Sequence, residues 1–257
     1  MIGRRGFTEA DVPDQSGKCF IVTGANTGIG FHLTQQLARA GVRVLLAARD
    51  PERGKSAAEK LAAEGLEVDV LTLDVTDDQT IGAAVGHITD MYGRLDILIN
   101  NAAIVGDGLP ASQVSRAALL STFDTNVAGI AATTNALLPL LRVSSRPRIL
   151  NVSSELGSTR LVNDPDWPHS DVAAAAYQAS KSAVDMLTVL YAKELAHEGI
   201  SVVSVSPGYR ATGLNNGEPM EGAGDPAVGA AGIVGVALSA EFRTGQFLSD
   251  QGELVAW

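Results

Sequence analysis

The stretch IVTGANTGIGFHL, residues 21–33, decides the fold. A β-type run ends at Thr23, glycines follow at Gly24, Gly28 and Gly30, and helical spacing then begins. Glycine lets a ligand approach the backbone closely, and a helix N-terminus offers unpaired N–H groups with partial positive charge. The stretch therefore predicts a strand, a glycine turn and a helix that together bind a phosphate. Because the spacing is G-x-x-x-G-x-G rather than the general G-x-G-x-x-G, a turn without a ligand is the alternative on this stretch alone.

The rest of the chain continues the alternation of strands and helices. The pattern predicts strands at 18–24, 42–48, 66–74, 95–101, 147–154, 200–208 and 245–250, and helices at 28–40, 51–64, 77–92, 111–142, 173–198 and 226–240. Strands separated by helices favour parallel pairing through right-handed crossovers. We predict one α/β domain over residues 1–257, with a Rossmann-type doubly wound parallel sheet of about seven strands and an N-terminal extension at 1–16. Its ligand is expected beyond the carboxyl ends of the strands.

Composition restricts the partners and the compartment. The net charge of −10 argues against nucleic acid and against an anionic membrane surface. No run of about 18 apolar residues is present, so no membrane span is predicted. The N-terminus lacks the apolar core of a signal peptide, and the single cysteine, Cys19, cannot form an internal disulfide. A cytoplasmic protein is expected. The four histidines have no zinc-type spacing, so no metal site is expected.

Seven short motifs, taken in order, resemble those of the short-chain dehydrogenase/reductase family. They are TGANTGIG at 23–30, LDV at 73–75, NNAA at 100–103, TNVAG at 125–129, NVSS at 151–154, YQASK at 177–181 and SPGYRAT at 206–212. Together they cover nearly the whole chain. One departure is Ala103, where the family most often has glycine, and its methyl group is expected to need only a small local adjustment. The C-terminal segment is similar to carbonyl-reductase-like members and DVPDQSGK, near the start, to retinol-dehydrogenase-like members, which leaves the subgroup open.

The resemblance implies a dinucleotide site built from several of these motifs. The residues that it assigns to the cofactor are Gly24, Asn26, Thr27, Gly28, Ile29, Gly30, Asp74, Val75, Asn101, Ala102, Ala103, Tyr177, Lys181, Pro207, Gly208 and Thr212.

Tyr177 and Lys181 stand four residues apart and share one helix face. A lysine ammonium ~5 Å from a phenol, at an effective dielectric of ~20, favours the phenolate by roughly 3 kcal/mol, or about two pKa units. We therefore expect the pKa of Tyr177 to fall from about 10 to near 8. Tyr177 is the expected proton donor in carbonyl reduction and the base in alcohol oxidation. By the resemblance, Lys181 also holds the nicotinamide ribose.

Two further residues complete the expected catalytic set. Ser154 is expected to donate a hydrogen bond to the substrate oxygen. It is preferred over Ser153 because strand alternation places the two on opposite faces, and the family's serine matches the second position. Asn126 matches the asparagine that, in the family, helps a water molecule to relay protons to the lysine. A purely structural role in its helix is the alternative for Asn126.

The end of the second strand bears on the choice of cofactor. Enzymes that prefer NAD carry an Asp or Glu there, whereas this chain has Ala48 followed by Arg49. A guanidinium can bind a 2′-phosphate, so NADP(H) is predicted over NAD(H). Thr27 weakens this prediction, because NADP-specific relatives often have a basic residue there. Asp50 faces elsewhere by alternation unless the loop turns it inward, and Arg49 as a solvated surface charge is the alternative.

Two segments, 155–176 and 209–224, are expected to form the substrate pocket. Trp167 lies between two prolines, so a helix through it is not expected, and the loop falls beside Tyr177. We predict that Trp167 lines the pocket together with Tyr209 and favours a hydrophobic ketone or aldehyde. The alternative is that Trp167 packs under its own loop or at a subunit contact. Segment 209–224 is expected to act as a mobile lid.

These observations predict an NADP(H)-dependent oxidoreductase that reduces a ketone or aldehyde to an alcohol. The alternatives are an NAD-dependent alcohol dehydrogenase and a dinucleotide-binding regulator without turnover. A sugar-nucleotide epimerase on the same fold would usually need a larger C-terminal domain. By the resemblance, a homodimer or homotetramer is expected to form through the helices at 111–142 and 173–198.

Overall fold

A seven-stranded parallel sheet organises the molecule in a computed structural model that describes residues 15–215, 222–239 and 242–257. The strands are β1 (Cys19–Thr23), β2 (Arg43–Ala48), β3 (Asp69–Thr72), β4 (Ile97–Asn100), β5 (Arg148–Val152), β6 (Ser201–Val205) and β7 (Phe247–Leu248). Their order is β3-β2-β1-β4-β5-β6-β7, and each neighbouring pair is parallel. The Rossmann-type sheet is thus confirmed. Most of the predicted extension, residues 1–14, lies outside the described residues.

Helices cover both faces of the sheet. They are α1 (Gly28–Arg39), α2 (Pro51–Ala63), α3 (Asp78–Tyr92), α4 (Arg116–Phe123), α5 (Gly129–Leu141), α6 (Thr159–Val162), α7 (Ala175–Leu195) and α8 (Pro226–Leu238). On one face, Leu33 of α1 and Ile233 of α8 pack with the even-numbered positions of β1. On the other, Ile88 of α3 and Leu195 of α7 pack with Cys19 and Ile21. Because β1 is buried on both sides, its sequence is a continuous apolar run.

The long helix predicted over 111–142 is wrong in its start and in its continuity. The helix begins at Arg116, because the Ser115 side chain accepts a hydrogen bond from the Ala118 N–H and caps it. A π-helical turn over Asp124–Ala128 then separates α4 from α5. The sequence of this region has one continuous helical pattern, and nothing in that pattern indicates a turn with wider spacing.

The segment that follows Ser154 contains only short helical pieces. A 3₁₀ turn at Glu155–Gly157 leads into α6, and residues 163–174 contain neither helix nor strand. Pro165 and Pro168 lie in this irregular part, on either side of Trp167. Local turns hold the backbone of this segment. Because no helix or strand sets the directions of its side chains, their positions depend on tertiary contacts.

A buried polar network ties the centre of the sheet to its helices. The Asn100 amide donates to Asn151 Oδ1 at 2.9 Å and to Thr134 Oγ1 of α5 at 3.1 Å. The Asn151 amide in turn donates to Thr188 Oγ1 of α7 at 2.8 Å, and Ser204 of β6 donates to the same hydroxyl. Because α7 carries Tyr177, the network fixes that helix against β4, β5 and β6.

Candidate active site

A cavity of about 630 Å³ opens at the carboxyl ends of the strands. Nearly all the residues singled out from the sequence contribute to its walls: Gly24, Asn26, Thr27, Gly28, Ile29, Gly30, Arg49, Asp74, Val75, Asn101, Ala102, Ala103, Ser154, Trp167, Tyr177, Lys181, Pro207, Gly208, Tyr209 and Thr212. Asn126 is the exception. The fold therefore brings the glycine turn, the YxxxK pair and described parts of both pocket segments to one place.

The N-terminus of α1 faces this cavity. The Thr27 side chain makes no capping hydrogen bond, so it does not compete for the first N–H groups of the helix. Gly24 and Gly28 have φ angles of +63° and +54°, which favour glycine. A Cβ on Gly30 would lie 2.4 Å from the Gly24 carbonyl oxygen. The first two glycines shape the turn and the third permits its close packing, and the result fits the pyrophosphate of a dinucleotide.

Thr23 and Asn101 hold the glycine turn against β4. Thr23 Oγ1 accepts from the N–H groups of Asn101 and Ala102 at 2.9 and 3.0 Å. The Asn101 amide donates to the carbonyl oxygens of Thr23 and Gly24 at 2.9 and 3.2 Å. Asn101 thus supports the turn with its side chain, although it also lines the cavity.

The rim beyond β2 carries two guanidinium groups. Arg49 is exposed and makes no hydrogen bond or ion pair with any residue in the described part of the chain. Asp50 lines the cavity too, so the loop turns it inward, contrary to simple alternation. Its Oδ1 caps α2 by accepting from the N–H groups of Glu52 and Arg53 at 3.0 and 3.2 Å. Arg53, which the sequence reading missed, also lines the cavity, with Nε 3.6 Å from Asp50 Oδ2.

Tyr177 and Lys181 lie side by side on the first turns of α7. Lys181 Nζ is 5.5 Å from the centre of the Tyr177 ring and donates to the Val152 carbonyl oxygen at 2.8 Å. Lys181 is only 2% exposed. Ser154, at the end of β5, faces the same cavity, and its Oγ accepts from the Leu156 N–H at 3.2 Å. Ser153 is buried beneath it and points at the backbone of α7, donating to the Lys181 carbonyl oxygen at 3.4 Å.

The expected low pKa of Tyr177 is wrong for this structure. Burial raises the pKa of Tyr177 to about 12, with a hydrogen-bonding interaction with Ser154 opposing the rise and the charge of Asp185 adding to it. Burial also lowers the pKa of Lys181 to about 8, while Asp185 opposes that fall. The expected low pKa assumed a full, isolated lysine charge. It left out both the dry surroundings and the nearby carboxylate.

Asp185 is the carboxylate that the sequence reading missed. It is 4% exposed, and neither carboxylate oxygen has a hydrogen-bond partner among the described residues. The neighbouring hydroxyls of Ser153 and Ser204 donate elsewhere, to a backbone carbonyl and to Thr188. Burial raises the pKa of Asp185 to about 6, against the influence of these hydroxyls and of Lys181. The signal was present in the spacing, since residues 177, 181 and 185 share one helix face.

The Asn126 side chain makes contacts away from Lys181. Its Oδ1 accepts from the Ile104 N–H at 2.8 Å, and its amide donates to the Ile104 carbonyl oxygen at 2.8 Å and to Ser180 Oγ at 2.9 Å. Asn126 is fully buried within the π-helical turn. The side chain therefore holds the segment after β4 to α7, and a role in proton relay stays a proposal.

Three aromatic rings and one carboxylate line the other half of the cavity. The centres of the Trp167 and His169 rings are 5.2 Å apart, and those of His169 and Tyr209 are 5.5 Å apart. His169, one of the four histidines without zinc-type spacing, is the middle ring of this row. Glu155, next to Ser154, also faces the cavity.

The start of segment 209–224 is anchored to the body of the protein. Arg210 forms an ion pair with Asp250 and donates to the Pro207 carbonyl oxygen at 2.7 Å. The Ala211 N–H donates to the Gly224 carbonyl oxygen at 2.8 Å, and the Gly224 N–H to that of Tyr209 at 3.0 Å. Residues 216–221 of the predicted lid lie outside the described residues.

Comparison with known proteins places the chain in a family. Residues 18–221 match the family model described as short chain dehydrogenase. The short-chain dehydrogenase anuI of Penicillium roqueforti is 35% identical over 243 residues, which are 91% of this chain and 95% of that protein. The chain therefore belongs to the short-chain dehydrogenase/reductase family of oxidoreductases, as the motifs indicated.

Solved structures agree on the fold and differ in cofactor. NADPH-bound carbonyl reductase from chicken fatty liver superposes with a TM-score of 0.83 at 27% identity, covering 94% of this chain and all of that one. A 3-ketoacyl-(acyl-carrier-protein) reductase from Brucella melitensis, complexed with NADH, has a TM-score of 0.78 at 25% identity over 92% and 98% of the chains. The shared fold thus binds nicotinamide dinucleotides. Within the described ranges, no helix has the length and apolar character needed to cross a membrane.

Proposed function

We propose that this protein is an NADP(H)-dependent oxidoreductase that reduces hydrophobic ketones or aldehydes to alcohols. The observation that carries the proposal is a shared cavity. Ser154, Tyr177 and Lys181 face the same space as the uncapped N-terminus of α1 and the unpaired guanidinium of Arg49. A protein that only sensed dinucleotides would not need a buried lysine beside a phenol in that space.

The residues present fit a nicotinamide dinucleotide phosphate. The N-terminus of α1 would hold the pyrophosphate, and Asp74 with Val75 would lie beside the adenosine half. Arg49, joined by Arg53, would bind the 2′-phosphate. Lys181 would hold the nicotinamide ribose. The bound cofactor supplies the hydride that reduces the carbonyl carbon.

The chain itself orients the carbonyl and supplies the proton. Ser154 donates a hydrogen bond to the substrate oxygen, and Tyr177 transfers its phenolic proton to that oxygen as negative charge develops. With a pKa of about 12, Tyr177 is protonated at neutral pH, which suits reduction. The Lys181 ammonium stabilises the phenolate that remains. Asn126 would support this site by fixing the segment after β4.

A carbonyl and alcohol panel assayed with both cofactors tests this proposal. With NADPH we expect loss of the reduced-nicotinamide absorbance when hydrophobic carbonyls are added. With NADH we expect the catalytic efficiency to be lower by about tenfold or more. Equal efficiency with NADH would favour the NAD-dependent alternative. Cofactor binding without turnover of any carbonyl or alcohol would favour the regulator.

We also propose a homo-oligomer that assembles through α4 and α7. These helices expose Leu120, Met186 and Leu190, which are 54%, 59% and 51% exposed, although large apolar side chains are usually covered. Sedimentation of the purified protein would measure its size. The proposed location is the cytoplasm, whose reducing conditions suit the free thiol of Cys19.

A further inference from the structure

Glu155 is a carboxylate at the substrate wall that the proposed reaction does not use. It follows Ser154 in the chain, is half-buried and faces the cavity. Among the residues that the structure describes, none forms a hydrogen bond or an ion pair with the Glu155 carboxylate. Burial raises the pKa of the Glu155 carboxyl. A carboxylate that is partly removed from solvent and has no partner in the protein can accept a hydrogen bond from a ligand at low cost.

The two nearby basic side chains, Arg210 and His169, already have other contacts. Arg210 is paired with Asp250 and also donates to the Pro207 carbonyl oxygen. His169 is close enough to lower the pKa of Glu155, as Arg210 does, but its ring packs between Trp167 and Tyr209. Asp250 acts in the opposite direction. The pocket thus leaves the charge of Glu155 uncompensated by direct contact.

We propose that Glu155 is a specificity residue whose carboxylate accepts a hydrogen bond from a donor group on the carbonyl substrate, either a hydroxyl or a protonated amine. The proposal rests on the proposed function, because it concerns the substrate of that same site. Because Glu155 is adjacent to Ser154, a substrate whose carbonyl oxygen bonds to Ser154 would reach Glu155 with a group a few bonds away. The rings of Trp167, His169 and Tyr209 would cover the apolar part of such a substrate.

The two donors differ in the strength expected of them. A carboxylate bonds a protonated amine more strongly than a neutral hydroxyl, because both partners are then charged. The faces of Trp167 and Tyr209 would also attract a cation. We therefore expect the amine-bearing substrate to depend on Glu155 more than the hydroxyl-bearing one.

Three acetophenones of nearly equal size test this inference. They carry a meta-ethyl, meta-hydroxymethyl or meta-aminomethyl group, and kcat/KM is measured for each with wild type, Glu155→Gln and Glu155→Leu. For the aminomethyl ketone we expect kcat/KM to fall about 10- to 100-fold in both variants. For the hydroxymethyl ketone we expect a smaller loss in Glu155→Gln, whose amide oxygen still accepts, than in Glu155→Leu. The ethyl ketone should be reduced equally well or better.

Asp171→Asn is the matched control, because Asp171 is an exposed carboxylate in the same segment. Asp171→Asn should leave kcat/KM unchanged for all three ketones. Thermal melting should show that each variant is folded. Saturation-transfer NMR of the same ketones measures binding without turnover. Reduction of all three ketones with ratios unaffected by Glu155 would overturn this inference and leave the proposed function intact. No reduction of any ketone would refute the proposed function, and NMR binding that does not depend on Glu155 would then overturn this inference as well.

Discussion

The two halves of the cavity are built in different ways. In the cofactor half, the walls around the glycine turn are mainly backbone, namely the turn at Gly24 and the N-terminus of α1, and the Asn101 side-chain amide braces them. In the substrate half, the walls are side chains such as Trp167 and Glu155, which stand on segments with little regular structure. Backbone walls leave few acceptable residues at each position, whereas side-chain walls can change with little effect on the fold. The first half is therefore suited to one invariant ligand and the second to a variable one.

The proposed reaction takes place where the two halves meet, so removal of the phenol should have the largest effect. Tyr177→Phe should lower kcat by about 10²- to 10⁴-fold, because the proton donor is lost while the ring still packs. Fluorescence titration should show nearly unchanged binding of NADPH. Turnover within about tenfold of wild type would contradict the proton-donor role.

A substitution in the cofactor half should damage structure as well as activity. A Cβ at Gly30 would lie 2.4 Å from the Gly24 carbonyl oxygen and 2.5 Å from Asn101 Nδ2, so Gly30→Ala should destabilise the protein by about 3 kcal/mol and weaken cofactor binding. Gly82→Ala in α3 is the control, since its Cβ would meet nothing within 4 Å. Denaturant unfolding of both variants measures the difference. If Gly30→Ala were as stable as Gly82→Ala, the cofactor half would not be as constrained as we describe.

The rim of the cofactor half should respond to the 2′-phosphate alone. Arg49→Ala should raise the Michaelis constant for NADPH by about tenfold and change that for NADH little, because one charged hydrogen-bonding group is lost. The control is Arg146→Ala, an exposed arginine just before β5, outside the cavity. Similar changes with both cofactors would remove the basis of the proposed NADP preference.

Asp185, buried below the place where the two halves of the cavity meet, should influence both the stability of the protein and the pH profile of its activity. The folded-state pKa of Asp185, about 6, lies above its ordinary value, so its ionisation opposes folding above that pH and the penalty disappears as the pH falls. Asp185→Asn should therefore raise the unfolding free energy by about 1–3 kcal/mol at pH 8 and by less at pH 5. It should also move the loss of the Lys181 ammonium to lower pH, since Asp185 supports that charge.

Two measurements separate these effects. Unfolding curves at both pH values give the stability difference, and the alkaline limb of kcat/KM for reduction reports the lysine. An alkaline limb that stays in place would show that Asp185 does not act on Lys181.

The smallest effect is expected in the substrate half. Trp167→Ala should change the ratio of kcat/KM between bulky and small carbonyls by about three- to tenfold, because one apolar wall is removed. A ratio that stays constant while stability or assembly falls would instead assign Trp167 a structural role.

The sequence predicted the cofactor half more completely than the substrate half for a physical reason. Backbone-lined turns restrict the residue type locally, so Gly24 and Gly28 can be recognised from the sequence alone. The YxxxK spacing can be recognised as well, because residues four apart share one helix face. The contributions of Glu155 and His169 depend on how segments distant in the chain pack together, and no local pattern encodes that. The pKa of Tyr177 was misjudged for the same reason, since desolvation is set by the whole fold.

Some features that the sequence prediction missed had a partial signal in the sequence. Asp185 was visible in the helical spacing after Lys181, but its burial was not. Asp50 turned inward because it caps α2, a role that its position before Pro51 could have indicated. The π-helical turn at Asp124–Ala128 had no sequence signal, because a helix with one widened turn keeps nearly the same apolar spacing.

That π-helical turn has a consequence for how the protein can diverge over evolutionary time. It separates α4, whose Leu120 is exposed, from α5, whose side chains pack on the sheet. An α-helix of uniform pitch would couple the rotation of one segment to that of the other. Here the widened turn allows the outer segment to acquire a new surface by substitution or small rotation, while the inner segment and the asparagine between them keep their positions. Neighbouring parts of a single helical region can thus accept substitutions independently of each other.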